Sequence, residues 1–171
     1  MNEPLFSEKS VWKGSPYELD VFALDDYRKL PKIDQIHAIC FLNQEEIVFY
    51  KNVEGWLGNP GGGVEGGETV EEAIKRELVE EAQLKLVDWK TIGYEAIFYP
   101  DKSEGQNGQY FLRVVAKVEL IDVPINDPCK KAVGRIVVPI NEASEKLNWG
   151  RKGEVLIELA KNKYVKVWGK V

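Results

Sequence analysis

Residues 61 to 84 read Gly61-Gly62-Gly63-Val64-Glu65-Gly66-Gly67-Glu68-Thr69-Val70-Glu71-Glu72-Ala73-Ile74-Lys75-Arg76-Glu77-Leu78-Val79-Glu80-Glu81-Ala82-Gln83-Leu84, and this stretch decides how the chain is organised. Seven glycines lie between residues 55 and 67. That density is too high for a regular element and predicts a loop whose backbone approaches something closely. A helix follows. Thr69 with Glu72 three residues on is a capping box, and Val70, Ala73, Ile74, Leu78 and Ala82 form a helical apolar stripe to about residue 82.

Within that helix Glu77, Glu80 and Glu81 fall at i, i+3 and i+4, inside an arc of roughly 100°. Taking Val70 as zero and about 100° per residue, Glu77 projects near 340° and Glu81 near 20°, close to Ala73 and Ile74. A solvated acidic face would instead stand opposite the apolar stripe, where Glu72, Lys75 and Val79 project. Partly buried like charges repel and each carries a desolvation cost, so a nearby cation is needed to keep them ionised. Arg76 cannot serve all three. A hard divalent ion, held through carboxylate oxygens and waters, can. The glycine loop just ahead of the helix brings backbone groups of Gly61, Gly62 and Gly63 within reach of a phosphate or metal, and a helix start favours anions.

Outward from this core, residues 34 to 42 read as a strand buried on both faces. The polar stretch Asn43 to Glu46 turns into a second strand, Ile47 to Lys51. Asp88 to Tyr99 and Gln109 to Leu120 read as long strands joined by the loop Pro100 to Gly108 as a hairpin, with an Asn107-Gly108 turn. Arg135 to Val138 predicts a further strand, Asn141 to Leu147 a short helix, and Gly153 to Lys161 an amphipathic helix. Residues 1 to 32 have no clear period; they are expected to form an extension packing on a domain spanning 33 to 171, and they offer surface for a homodimer contact.

The 171 residues suit one domain, with 44% hydrophobic and 30% charged residues as in a soluble globular protein. Residues 1 to 10 lack the parts of a secretory signal and no apolar run is long enough to span a bilayer, so no membrane partner and a cytoplasmic location are expected. A net charge of -5 disfavours nucleic acid, whose binding draws on clustered lysines and arginines. Cys40 and Cys129 fit no paired motif and read as reduced thiols. His37 reads as a satisfied structural histidine.

The same residues carry a family resemblance. The Nudix box, G-x5-E-x7-R-E-U-x-E-E-x-G-U with U aliphatic, is similar in register to Gly62, Glu68, Arg76, Glu77, Leu78, Glu80, Glu81 and Leu84; only its second glycine differs, being Gln83 here. Trp56 and Pro60-Gly61 look like the family's approach to the box. The chain thus resembles the Nudix hydrolases (MutT-like). The resemblance implies an α/β fold, an α/β/α sandwich around a mixed β-sheet, and hydrolysis of a nucleoside diphosphate linked to another group. It implies Mg2+, or Mn2+ in its place, held by Glu77, Glu80 and Glu81 with a carbonyl near Gly61, and it implies Glu68 as support for Arg76, which orients the metal carboxylates. Gln83 falls where the helix ends and where glycine best tolerates a left-handed backbone.

The partner expected on this reading is a small nucleotide-type diphosphate. Lys51 and Trp56 are candidates to bind it alongside Gly61, Gly62 and Gly63, Trp56, Tyr99 and Tyr110 are candidates to stack on a base, and Glu104 is a candidate proton acceptor. Three other readings stand beside it. One is a non-catalytic Nudix-fold sensor, which has no need of an intact glutamate set. Another is an isoprenoid diphosphate isomerase, which requires a cysteine paired with an acid. The third is a ligand-free scaffold, which leaves the acidic cluster unexplained.

Overall fold

Strand β3 (Gln35–Phe41) runs through the middle of the molecule and sorts its residues by parity. Ile36, Ala38 and Cys40 enter one apolar cluster, and Ile39 and Phe41 enter another on the opposite face. The computed structural model describes residues 3–103, 108–129 and 131–169. The other strands are β1 (Phe6–Trp12), β2 (Ser15–Ala23), β4 (Glu46–Asn52), β5 (Leu57–Gly58), β6 (Gly61–Gly63), β7 (Leu84–Phe98), β8 (Gly108–Leu120) and β9 (Ala132–Pro139). They form one mixed sheet in the order β1-β2-β7-β8-β3-β4-β5, with β6 beside β3 and β9 beside β4. The β3–β8 pairing is parallel and the others are antiparallel.

Helix α1 (Val70–Ala82) covers one face through Ala73, Ile74, Leu78 and Ala82. Helices α2 (Ala143–Leu147) and α3 (Gly150–Trp168) cover the other, where Leu156, Ala160 and Tyr164 pack on Phe41 and Phe49. The result is an α/β/α sandwich. Helix α3 is longer than its clearest apolar period, because Tyr164 stacks on Phe41 with ring centroids 4.6 Å apart and carries the packing one turn further. Among the described residues no helix is long and apolar enough to cross a membrane.

Two segments differ from their sequence reading. The glycine loop contains β5 and β6, because Leu57 and Gly58 pair with β4 while the carbonyl of Pro60 and the Gly61–Gly63 backbone bond to β3. The N-terminal segment is a hairpin added to the sheet at β7. Its two-residue turn has Lys13 at φ 50° and Gly14 at φ 85°, the left-handed pair that matches strand twist. Alternation of Tyr17, Leu19 and Val21 toward the core is the strand signal within that segment. The turn expected at Asn107-Gly108 lies partly outside the described residues.

The helix exit retains its left-handed backbone despite the missing glycine. Gln83 sits at φ 52°, ψ 50°, and its side-chain amide donates to the carbonyl of Val123. Arg135 gathers the carbonyls of Ala82, Gln83 and Ile121 on one nitrogen, which satisfies acceptors that a helix end leaves free. Arg135→Met is therefore expected to cost about 1–3 kcal/mol, read as a lower Tm. An unchanged Tm would mean that water serves those carbonyls equally well.

Candidate active site

Helix α1 delivers its carboxylates to a cavity of about 440 Å³ whose wall includes Gly61, Gly62 and Gly63. Gly61 N–H donates to Glu81 Oε2 at 2.9 Å. Gly62 lies so close to Glu77 that an added Cβ would stand 2.3 Å from Oε1, so any side chain there would displace the Glu77 carboxylate. Helix and strand are thus locked together across the site.

Arg76 is the hub. Its Nε and Nη2 take both oxygens of Glu68 at 2.9 and 3.1 Å, and Nη2 also donates to the Gly63 carbonyl at 2.9 Å. Its Nη1 donates to Glu77 Oε1 at 2.7 Å and reaches Glu80 Oε2 at 3.4 Å. Bidentate pairing of this kind fixes geometry as well as charge. Arg76 thus bonds to both Glu77 and Glu80, and the described residues contain no ready-made group of three acidic, histidine or cysteine ligands.

Among the described residues Glu81 has no such ion pair, and the charge of Lys131 acts on it only at longer range. Burial pushes its carboxyl up to about 7, the Gly61 N–H opposes that rise, and the charges of Glu77 and Asp127 add to it. Burial likewise raises Glu77, against the pull of Arg76. An all-oxygen acidic set with a desolvated, weakly compensated member is a donor set that fits a hard divalent ion.

A consequence can be measured on chelated protein. Glu81 holds its proton more tightly folded, with a pKa near 7 against an ordinary value of 4.5. The native state therefore binds more protons between those values, and stability falls as pH rises from about 4.5 to about 7. In EDTA the Tm of the wild type should drop across that window, and Glu81→Gln should remove that part of the slope. Equal slopes in the two proteins would contradict the assignment.

Two candidates stand elsewhere. Lys51 is exposed on β4 and does not line the cavity; its neighbour Tyr50 does, because adjacent strand residues face opposite ways. Trp56 is 60% exposed in a turn that Asn52 organises through the N–H groups of Glu54 and Trp56. Of the other aromatic candidates, Tyr110 packs on Tyr94, while Tyr99 lines a second cavity together with Phe111. Glu104 lies outside the described residues.

Sequence reading missed Asp127. It lines the carboxylate cavity, and three backbone N–H groups, of Cys129, Lys131 and Ala132, donate to it. Burial opposes its charge, but those donors hold its carboxyl below the usual range. The turn signal Asn126-Asp127-Pro128 was the available clue. Cys40 is fully buried against α1, whereas Cys129 is exposed and lines the same cavity as Asp127. His37 Nε2 meets Gln35 Oε1 at 3.0 Å, while Nδ1 is buried and, beyond a weak approach to the Asn59 backbone, has no hydrogen-bond partner among the described residues. Burial holds its pKa down to about 3, so the ring is neutral.

The sequence matches the model of the NUDIX domain over residues 33–159. The chain belongs to the Nudix family. With that membership goes the class of reaction, hydrolysis of phosphorus-containing anhydrides. No curated protein matches the sequence significantly. Among solved structures, the Nudix chain is similar to the Bacillus subtilis pyrophosphohydrolase BsRppH at 16% identity, with 97% of this chain and 100% of that one covered and a TM-score of 0.71. It is also similar to a NUDIX hydrolase from Nitrosomonas europaea at 16% identity, covering 77% and 90%, TM-score 0.60. A structure described under MutT from Aliivibrio salmonicida and Vibrio cholerae shares 21% identity over 76% of this chain and 98% of that one, TM-score 0.53. At these identities the likeness is one of fold.

Proposed function

We propose that this Nudix protein is a divalent-metal-dependent hydrolase that cleaves the diphosphate linkage of a nucleoside diphosphate joined to another group. The observation that carries the reading is Glu81, a carboxylate turned into a cavity beside Glu77 and the Gly61–Gly63 backbone and, among the described residues, in no ion pair. Glu81 and Glu77, with Glu80, would hold Mg2+ or Mn2+. A bound ion of that kind polarises phosphoryl oxygens and lowers the pKa of water.

The chain's own residues do the rest. Arg76, clamped by Glu68, fixes where Glu77 and Glu80 point. The side-chain-free β6 backbone lets phosphate oxygens approach the carboxylates closely. Asp127, kept ionised in the same cavity, would serve as a proton acceptor.

The presence of Cys129 in this cavity gives the isomerase reading one supporting observation, so the test includes it. The protein is incubated with Mg2+, Mn2+ or EDTA against nucleoside triphosphates, sugar nucleotides, dinucleoside polyphosphates and isopentenyl diphosphate, with products identified by mass. The expected result is metal-dependent hydrolysis of at least one nucleotide, with heavy oxygen from labelled water in the product. Binding without turnover would leave a sensor, and rearrangement of the isoprenoid without hydrolysis would leave the isomerase.

A further inference from the structure

A second cavity, of about 590 Å³, opens between the N-terminal hairpin and the start of α3, and it shares Gln35, His37 and Lys131 with the carboxylate cavity. Its charge has the opposite sign. Lys13, Lys131, Lys152 and Arg113 face a single carboxylate, Glu95, in a chain whose net charge is -5. That carboxylate is already taken. Arg113 Nη2 donates to one of its oxygens at 2.6 Å, and the Lys152 ammonium stands 3.8 Å from the other. Arg113 and Glu95, both buried, therefore balance each other, and the charge left over is that of the lysines. Lys13 stands on the exposed hairpin turn, its ammonium 5.8 Å from the Trp12 ring. Neither Lys13 nor Lys131 enters an ion pair among the described residues.

Ammonium groups gathered around one cavity repel one another unless an anion comes between them. A neutral ligand leaves that repulsion in place, and a cation worsens it. Phosphate matches the lining: it brings about two negative charges and three acceptor oxygens, enough for several lysines at once. The remainder of the lining is aromatic, with Trp12, Tyr17, Tyr99 and Phe111 offering surfaces on which a planar ring packs. A ring that carries a phosphate thus answers to both parts of the cavity. Lys131 marks the continuation, since it lines both cavities and its charge acts on Glu81. One ligand can run from the carboxylates to the lysines.

We infer that the second cavity is an anion subsite for a further phosphate of the substrate, one carried on the far side of the nucleoside from the scissile diphosphate, as on a 3′ oxygen. This names a substrate class for the proposed reaction and rests on that reading for the diphosphate alone. Lys13 and Lys152, which line only this cavity, are its specificity-determining residues.

Calorimetry on the full chain tests the subsite in two conditions. In EDTA, where the carboxylate cavity repels anions, adenosine 3′-monophosphate should bind about 10-fold or more tightly than adenosine, the gain expected from a charge-assisted contact. With Mg2+, adenosine 3′,5′-bisphosphate should exceed adenosine 5′-monophosphate by a similar factor. Lys13→Gln with Lys152→Gln should reduce both ratios to about 2-fold. Lys13→Gln alone should lower each about 2- to 3-fold, and it decides the matter even if the loss of Lys152 disturbs buried Glu95. The new residue suits the turn, because Gln83 already adopts the φ near 50° that position 13 requires. No gain from phosphate in EDTA, or ratios unchanged in the variants, would overturn the inference. The 5′-phosphorylated adenosine dinucleotide separates two sources of the phosphate: weaker binding than the bisphosphate identifies a terminal group, equal binding a diester within a short chain, and either upholds the subsite. Both gains without turnover in the metal-dependent assay uphold the subsite and overturn the hydrolase reading; turnover without either gain does the reverse.

Discussion

Glu81→Gln should abolish metal-dependent turnover while making the chelated protein more stable at pH 8. The two effects have opposite signs and one cause. A carboxylate that is half-buried, only weakly compensated and beside Glu77 and Asp127 is costly to keep ionised without a metal. Glutamine removes the charge yet keeps an oxygen for the Gly61 N–H. The fold therefore loses a burden and the catalytic site loses a ligand. A metal supplying several kcal/mol of charge stabilisation translates into a rate loss on the order of 10³-fold at about 4 kcal/mol. The measurements are kcat with Mg2+ and Tm in EDTA on the same preparation. Retained activity would remove Glu81 from the metal site, and a lowered Tm would mean the carboxylate is a structural hydrogen-bond acceptor instead.

The part of this site that was legible in the sequence is the part built by a single helix. A period of about 3.6 carries Glu77, Glu80 and Glu81 to one side of α1 whatever the helix packs on, and the Thr69–Glu72 box fixes where the count begins. Strand residues are different. Their parity is plain in the sequence, but which parity meets the cavity depends on the sheet as a whole, and a one-residue error reverses the answer. That is why Tyr50 rather than Lys51 lines the carboxylate cavity, and Phe111 rather than Tyr110 lines the second one. Glu95 and Arg113 left a trace, each a charge with uncharged neighbours on both sides, but their pairing required the β7–β8 register, in which Glu95 sits opposite Phe111 and a bulge brings Gly93 opposite Arg113. The hairpin of residues 6 to 23 was hidden because only one of its strands buries an alternating row.

Gly61→Ala is expected to be among the most damaging single-methyl changes in the protein, through backbone that cannot yield. A Cβ at this position would stand 2.1 Å from the carbonyl oxygen of Ile36 and 2.7 Å from the Cα of His37. Neither atom belongs to a flexible side chain, so relief requires β6 to separate from β3 where His37 pairs with Gly61. Overpacking of this kind typically costs about 1–3 kcal/mol, and here the displaced backbone also carries the N–H that holds Glu81. A shift of about 1 Å in a catalytic group can lower rate by roughly 10²-fold. Gly62→Ala supplies the contrast, since its Cβ would collide with the Glu77 carboxylate, a side chain that can swing aside. Gly62→Ala should therefore lose activity with little change in Tm, whereas Gly61→Ala should lose both. If Gly61→Ala kept its Tm, β6 would be a pliable loop rather than a strand wedged against β3, and the carboxylates would owe their convergence to α1 alone.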